Sequence, residues 1–254
     1  MKHSTSTTKY FTQTIKQLAA KVFQFYGLNR LLDQRLRERL CAEQRKSGIR
    51  VVFDIGAHKG DWAEELQSLM PEARIICFEA NPRNAQSLQD KGFQHFMGIL
   101  SNPGITECDF YIPEDSPSST GASYYKEVSP AFESTIGVRL SARTLGEIVA
   151  AESLPQPDLI KIDTQGSEID IISGGTDIFR NAKFVLMELP TVRYNIGAPN
   201  LGSYMATMGE LGFLPVEVTE IHKSGGILIQ LDFLFAHKSV LSKEDLAGIN
   251  LEAA

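Results

Sequence analysis

Residues 51–60, Val-Val-Phe-Asp-Ile-Gly-Ala-His-Lys-Gly, constrain the fold of this chain more than any other stretch. Three apolar residues of high strand propensity run into an acid, Asp54, then into a turn with glycines at 56 and 60. A polar helix start follows, Asp61-Trp62-Ala63-Glu64-Glu65-Leu66. A strand that ends in a tight glycine turn opening a helix is how an α/β sheet brings its backbone close to an adenosyl ligand, with the acid at the strand's carboxyl end. The glycines are spaced G-x-x-x-G and not G-x-G-x-x-G, so the dinucleotide fingerprint is absent.

Three more apolar runs end the same way. The run Arg74-Ile75-Ile76-Cys77-Phe78 stops at Glu79, followed by Ala80, Asn81 and a Pro82 suited to a first helical turn. An acid at the tip of the second strand is placed to accept hydrogen bonds from ribose hydroxyls, which makes Glu79 a ribose candidate. Leu159-Ile160-Lys161-Ile162 stops at Asp163, and the helix-like Glu168-Ile169-Asp170-Ile171-Ile172 follows. Phe184-Val185-Leu186-Met187 stops at Glu188. Four such runs predict four carboxylates along one edge of a parallel sheet. Like charges so placed repel one another, and the arrangement is costly unless ligands use it.

The blocks Phe53-Asp-Ile-Gly-Ala-His-Lys-Gly60, Phe78-Glu-Ala-Asn-Pro82, Thr144-Leu145, Asp158-Leu-Ile-Lys-Ile-Asp-Thr-Gln-Gly-Ser-Glu168 and Val185-Leu-Met-Glu188 together resemble the FkbM-type methyltransferases over about residues 50–237. The resemblance implies a class I methyltransferase fold: α/β, Rossmann-like and doubly wound, with a mostly parallel seven-stranded sheet and an antiparallel C-terminal hairpin. It implies S-adenosyl-L-methionine as cofactor, held by Asp54, Gly56, Ala57, Gly60, Glu79, Ala80, Asn81 and Asp163. By analogy with the same fold, Ile99 and Leu100, at the end of a third strand over residues 93–100, line the adenine. Two departures stand out. Thr164-Gln165-Gly166 replaces the common Val-Glu-Gly, and His58 stands where Asn is frequent.

The resemblance also implies an enzyme that methylates a hydroxyl on a sugar, glycolipid or secondary metabolite. In-line displacement at a sulfonium is mostly orientation, helped by a group that takes the hydroxyl proton. Asp163 either holds the cofactor's ammonium or acts as base. Glu188 is the second candidate, with His58 and then Glu168 after it. Two rivals stand beside this reading: a non-catalytic adenosyl-binding or scaffolding protein, and a nicotinamide-dependent reductase or epimerase.

Composition bounds the partners. Residues 1–50 carry 11 basic and 3 acidic residues, a net of +8, whereas residues 51–254 carry 14 and 28, a net of −14. The acidic catalytic region argues against a nucleic-acid substrate. Cys41, Cys77 and Cys108 are scattered, with neither a disulfide framework nor zinc spacing, which suits a reducing cytoplasm. No metal-spaced His/Asp cluster is visible, and His222 and His237 read as surface residues. No apolar run is long enough to span a membrane, and no signal peptide is expected.

The basic head reads as helix. Phe11, Ile15, Leu18, Val22 and Phe25, then Leu28, Leu32, Leu36 and Leu40, form an apolar stripe, with a break near Gly27 and Asn29. The stripe either packs on the catalytic domain or a second subunit, giving a homodimer, or lies through residues 10–46 on the anionic inner face of a membrane. The division expected is an extension over 1–48, a methyltransferase domain over 49–240 and a tail over 241–254. Residues 101–143 are the least regular stretch, with a flexible loop over 115–121 that is either a lid or a variable connection. A helix over 203–211 stopped by Gly212, then strands over 213–221 and 227–236 around Lys223-Ser224-Gly225-Gly226, complete the sheet.

Overall fold

The computed structural model describes residues 32–114, 121–127 and 134–246. The apolar stripe before Leu32 and most of the 115–121 loop lie outside these residues. The described residues from Asp33 onward form one compact unit. The helix α1 (Gln34–Ser47) is therefore part of the same unit as the sheet, and it buries Leu36 and Leu40.

Strand β1 (Val51–Ile55) lies in the middle of the large sheet. After it come α2 (Asp61–Leu69), β2 (Arg74–Glu79), α3 (Ala85–Asp90) and β3 (Gln94–Met97), which continue the sheet to one side in parallel. On the other side β1 pairs in parallel with β7 (Leu159–Ile162), and β7 with β8 (Phe184–Pro190). The last two strands, β9 (Phe213–Ser224) and β10 (Ile227–His237), form a hairpin in which β10 pairs antiparallel with β8. The order is β3-β2-β1-β7-β8-β10-β9, the seven-stranded, mostly parallel sheet with antiparallel end expected of a class I methyltransferase. The chain leaves β1 in one direction and returns at β7 on its other side. That switch point is where open α/β sheets bind ligands, beyond the carboxyl ends of the strands.

One face of the sheet presents Phe53, Ile55, Ile160, Ile162, Val185 and Met187. Against it pack Leu145 and Ile148 of α4 (Leu145–Ala151), Ile171 and Ile172 of α5 (Glu168–Gly174), Phe179 of α6 (Thr176–Arg180), and Tyr204 and Met208 of α7 (Leu201–Glu210). Burial of each such side chain contributes about 1.5–3 kcal/mol. The alternation of the strands sends Asp54 and Lys161, register partners in β1 and β7, to the opposite face. There the Lys161 ammonium lies 5.8 Å from the ring of Trp62 on α2.

Two expectations are corrected. The run over residues 93–100 is not one strand: at Gly98, φ +128°, the chain leaves the large sheet. Ile99 and Leu100 form a short β4 that pairs with β6 (Thr135–Arg143). Residues 101–143 are also more regular than expected, because β5 (Glu107–Pro113) pairs antiparallel with β6 and completes a three-stranded sheet, β4-β6-β5. Glu107 and Asp109 point outward while Phe110 and Ile112 are buried, an alternation of period two that marks a strand with one wet face.

Candidate active site

The turn after β1 is built around glycine. Gly56 adopts φ +78°, and a Cβ there would lie 1.9 Å from the Asp163 carbonyl oxygen, so β1 and β7 can close on each other only at a residue without a side chain. The Gly56 and Ala57 amides both donate to the Phe78 carbonyl, at 2.9 and 3.1 Å. Gly60, φ +78°, opens α2. Glu79 closes the turn from below: one oxygen accepts the His58 amide at 2.6 Å and the other the Asn81 amide at 2.7 Å. Burial raises the Glu79 pKa, and these amide bonds act against that rise.

A cleft of about 730 Å³, counting its open mouth, lies over this edge. Gly56, His58, Glu79, Ala80, Ile99, Leu100 and Asp163 all line it, together with Phe110, Tyr124 and Gln165. Ala57, Gly60 and Asn81 do not line it, and they shape the turn instead. Ala57 and Asn81 are buried, and the Asn81 side chain accepts the Arg83 amide.

Asp54 is not brought to the cleft. It is fully buried, with neither carboxylate oxygen hydrogen-bonded, and its ion partner is Lys161, 3.3 Å away. Burial raises the Asp54 pKa against the pull of Lys161. The same ammonium lies 3.6 Å from Asp163 and 3.4 Å from the Gly56 carbonyl. Burial alone would depress the Lys161 pKa, but the two acids outweigh it and the net shift is upward. Lys161 therefore stays charged and offsets the acids at the head of the cleft. Sequence reasoning passed over it, although a lone lysine inside the apolar strand Leu159–Ile162 was a visible signal.

Past β7 the chain turns through Gln165, a non-glycine residue at φ +57°. Such backbone costs on the order of 1–3 kcal/mol and persists where its surroundings impose it. Here Glu168 does so. Fully buried, it accepts the amides of Thr164 and Gly166, the Thr164 hydroxyl and the Tyr204 hydroxyl, at 2.9–3.2 Å. These bonds commit Glu168 to holding the turn.

The result is to aim the Gln165 side chain along the sheet edge. Its amide nitrogen donates to Asp163 at 2.9 Å and to Glu188 at 2.7 Å. Glu188 also accepts the amide of Gln230 on β10. Burial, followed by the nearby charges of Asp163 and Asp232, raises the Glu188 pKa well above the ordinary carboxylate range. Glu188 does not line the large cleft. It lines a second, smaller cavity with Arg193, Tyr194, Asn195 and Gln230, and Gln165 borders both spaces. Tyr124 closes the large cleft from the other side, anchored with Tyr125 on the Asp170 carboxylate of α5 at 2.6 and 2.8 Å.

The model of the methyltransferase FkbM domain matches residues 54–215, more than half of the chain. The chain belongs to the FkbM methyltransferase family. Among curated proteins this FkbM member is similar to the 2-O-methyltransferase NoeI of Sinorhizobium fredii, 26% identical over 153 residues. That match covers 54% of this chain and 62% of NoeI. It is also similar to the hexuronic acid methyltransferase AglP of Haloferax volcanii, 24% identical over 142 residues, with 55% of each chain covered. The chain thus spans only about three-fifths of the length of these relatives. Among solved structures, the magnesium protoporphyrin IX methyltransferase of Synechocystis PCC 6803 aligns over 80% of this chain and 77% of that one, with 10% identity and a TM-score of 0.45.

The FkbM chain departs from expectation at the hairpin. His222 is half-buried on β9, its Nε2 3.5 Å from Asp232 and 3.8 Å from Glu220. His237 pairs edge-on with Phe213. Among the described residues no helix is long and apolar enough to cross a membrane.

Proposed function

We propose that the protein transfers a methyl group from S-adenosylmethionine to a hydroxyl of a sugar or sugar-bearing acceptor, with residues 49–240 as the catalytic domain. The observation that carries this reading is the junction at Gln165, where the cleft over the strand ends and a second cavity meet at two carboxylates held by one amide. Family membership and the names of the two relatives, a 2-O-methyltransferase and a hexuronic acid methyltransferase, support the acceptor class.

In this account Glu79 binds the ribose hydroxyls, and Ile99 and Leu100 pack on the adenine. Asp163, which lines the cleft and is backed by the buried Lys161, faces the charged methionine end, and S-adenosylmethionine would supply the methyl at its sulfonium. The acceptor oxygen attacks the methyl carbon, the carbon–sulfur bond breaks, and S-adenosylhomocysteine leaves. The hydroxyl proton passes to a carboxylate of the Asp163–Glu188 pair. Glu188 suits that step, since a general base works best with its pKa drawn toward neutrality. His58 borders the cleft as a further polar contact.

The test is transfer of an isotope-labelled methyl group from S-adenosylmethionine to a panel of uronic acids, deoxyhexoses and their glycolipids. The expected product is a methyl ether on one acceptor class. Cofactor binding with no transfer to any hydroxyl would favour an adenosyl-binding role without catalysis.

A further inference from the structure

We propose that Glu188, His222 and Asp232 form a binding site for a divalent first-row metal ion of the Mn²⁺ to Zn²⁺ series. The three residues sit on β8, β9 and β10, neighbouring strands of the sheet. Asp232 lies directly opposite Glu188 in the β8–β10 register and opposite Glu220 in the β9–β10 register. One potential ligand atom from each of Glu188, His222 and Asp232 lies within 4.8 Å of the others.

Two observations turn this cluster into a site. First, His222 Nε2 and an Asp232 oxygen are both shut off from solvent, and beyond the loose ion pairs that they make with each other and with Glu220 neither has a hydrogen-bond partner. Buried polar atoms so weakly paired are costly unless a further partner completes them. Second, the two atoms are 3.5 Å apart, too loose for a good hydrogen bond. Two ligands each about 2.1 Å from a tetrahedral ion are separated by about 3.4 Å. The spacing suits atoms that share an ion better than atoms that share a proton.

Imidazole with two carboxylates is a mixed nitrogen and oxygen set, which favours a transition metal over Mg²⁺ or Ca²⁺. The Gln165 and Gln230 amides fix the Glu188 carboxylate, as outer-shell partners orient metal ligands. The ion would also offset the repulsion among Glu188, Asp232 and Glu220. Glu188 lines the second cavity, so the ion would lie beside the acceptor space, where a Lewis acid promotes proton loss from a bound hydroxyl. With Glu188 bound to the ion, Asp163 of the pair would take the hydroxyl proton; that use rests on the methyl-transfer reading, but the binding does not.

The experiment is titration of the untagged, metal-stripped full chain with Mn²⁺, followed by paramagnetic resonance, and with Co²⁺, followed by visible absorption. S-adenosylhomocysteine binding is measured in parallel. The proposal expects one saturable ion per chain. His222→Ala and Asp232→Asn should each weaken binding at least tenfold and leave S-adenosylhomocysteine affinity within about threefold. If His222→Ala fails to fold, the Co²⁺ spectrum of the wild-type chain must still show a nitrogen ligand that Asp232→Asn perturbs. Absence of saturable binding, or equal binding by wild type and variants, overturns the proposal. A His222 imidazolium held between Asp232 and Glu220, insensitive to added metal, also overturns it. Intact S-adenosylhomocysteine binding in either case leaves the methyl-transfer reading standing.

Discussion

Gln165 donates to Glu188 at 2.7 Å across the edge between β7 and β8, and the same nitrogen donates to Asp163. One neutral amide thus holds together two carboxylates that would otherwise repel. Glu188→Gln keeps an oxygen for the Gln165 and Gln230 amides and removes the group that takes a proton. It should retain S-adenosylmethionine affinity within about threefold while turnover falls about a hundredfold or more. Asp163→Asn should impair both, because Asp163 lines the cofactor cleft as well. Calorimetry and single-turnover transfer separate the two effects. A Glu188→Gln protein that folds but loses the cofactor would place this acid on the wrong side of the junction.

Lys161 should matter more for stability than its single position suggests. Lys161→Met leaves Asp54 fully buried and unpaired, a loss typically of about 3–5 kcal/mol. Asp54→Val combined with Lys161→Met removes both charges and should recover most of that loss. Denaturant melts of the two single variants and the double variant give the coupling. Additive losses would mean that the pair is not a pair.

The contrast between two glycines at similar φ isolates the close approach of β1 and β7. Gly48→Ala, φ +64° with open space around it, should cost only the ~1–2 kcal/mol of left-handed backbone. Gly56→Ala adds a Cβ into the Asp163 carbonyl and should lose well over 4 kcal/mol, or yield no folded protein. Equal melting temperatures for the two variants would remove the argument that the turn requires glycine at 56.

Much of the site was legible because strand-end acids and glycine turns follow from local chemistry. Glu79 and Asp163 line the cleft at the strand ends where the pattern placed them, whereas Ile99 and Leu100 line it from β4 of the small sheet and not from the end of a third strand. Asp54 did not: its register partners are Cys77 and Lys161, each two residues before Glu79 and Asp163, so its side chain shares their parity but lies deeper in the sheet, under the glycine turn. Glu168 reads in the sequence as a candidate base, yet three of its four donors come from the turn at Thr164 and Gly166 and the fourth is Tyr204, 36 residues away. The approach of His222 to Asp232 and Glu188 depends on the hairpin register and its bulges, which sequence spacing does not encode.

The base of the sheet carries a pH-dependent contribution. Asp158 accepts the Arg50 and Val51 amides at 2.7 and 3.0 Å and pairs with Lys183 at 2.9 Å. Partial burial raises its pKa, but the lysine and amides outweigh that and the net shift is downward. A carboxylate with a depressed folded pKa stabilises above its unfolded pKa of about 3.8, and the gain is lost as pH falls through the folded value. Asp158→Asn should therefore be less stable than wild type by about 1–2 kcal/mol at pH 7, allowing for solvent screening. The gap should close below about pH 3–4. A gap that persists unchanged to acid pH would assign the loss to something other than the charge.

The central claim is that the cleft over β1, β2 and β7 binds an adenosyl sulfonium or its thioether product. Isothermal titration of the full chain with S-adenosylhomocysteine, and separately with NAD, tests it most directly. The account predicts one S-adenosylhomocysteine per chain and no NAD binding. Glu79→Ala should weaken the former by about ten- to a hundredfold, the scale of a lost charge-assisted hydrogen bond. NAD binding with no response to S-adenosylhomocysteine would contradict the account outright, and unchanged affinity in Glu79→Ala would move the ribose elsewhere.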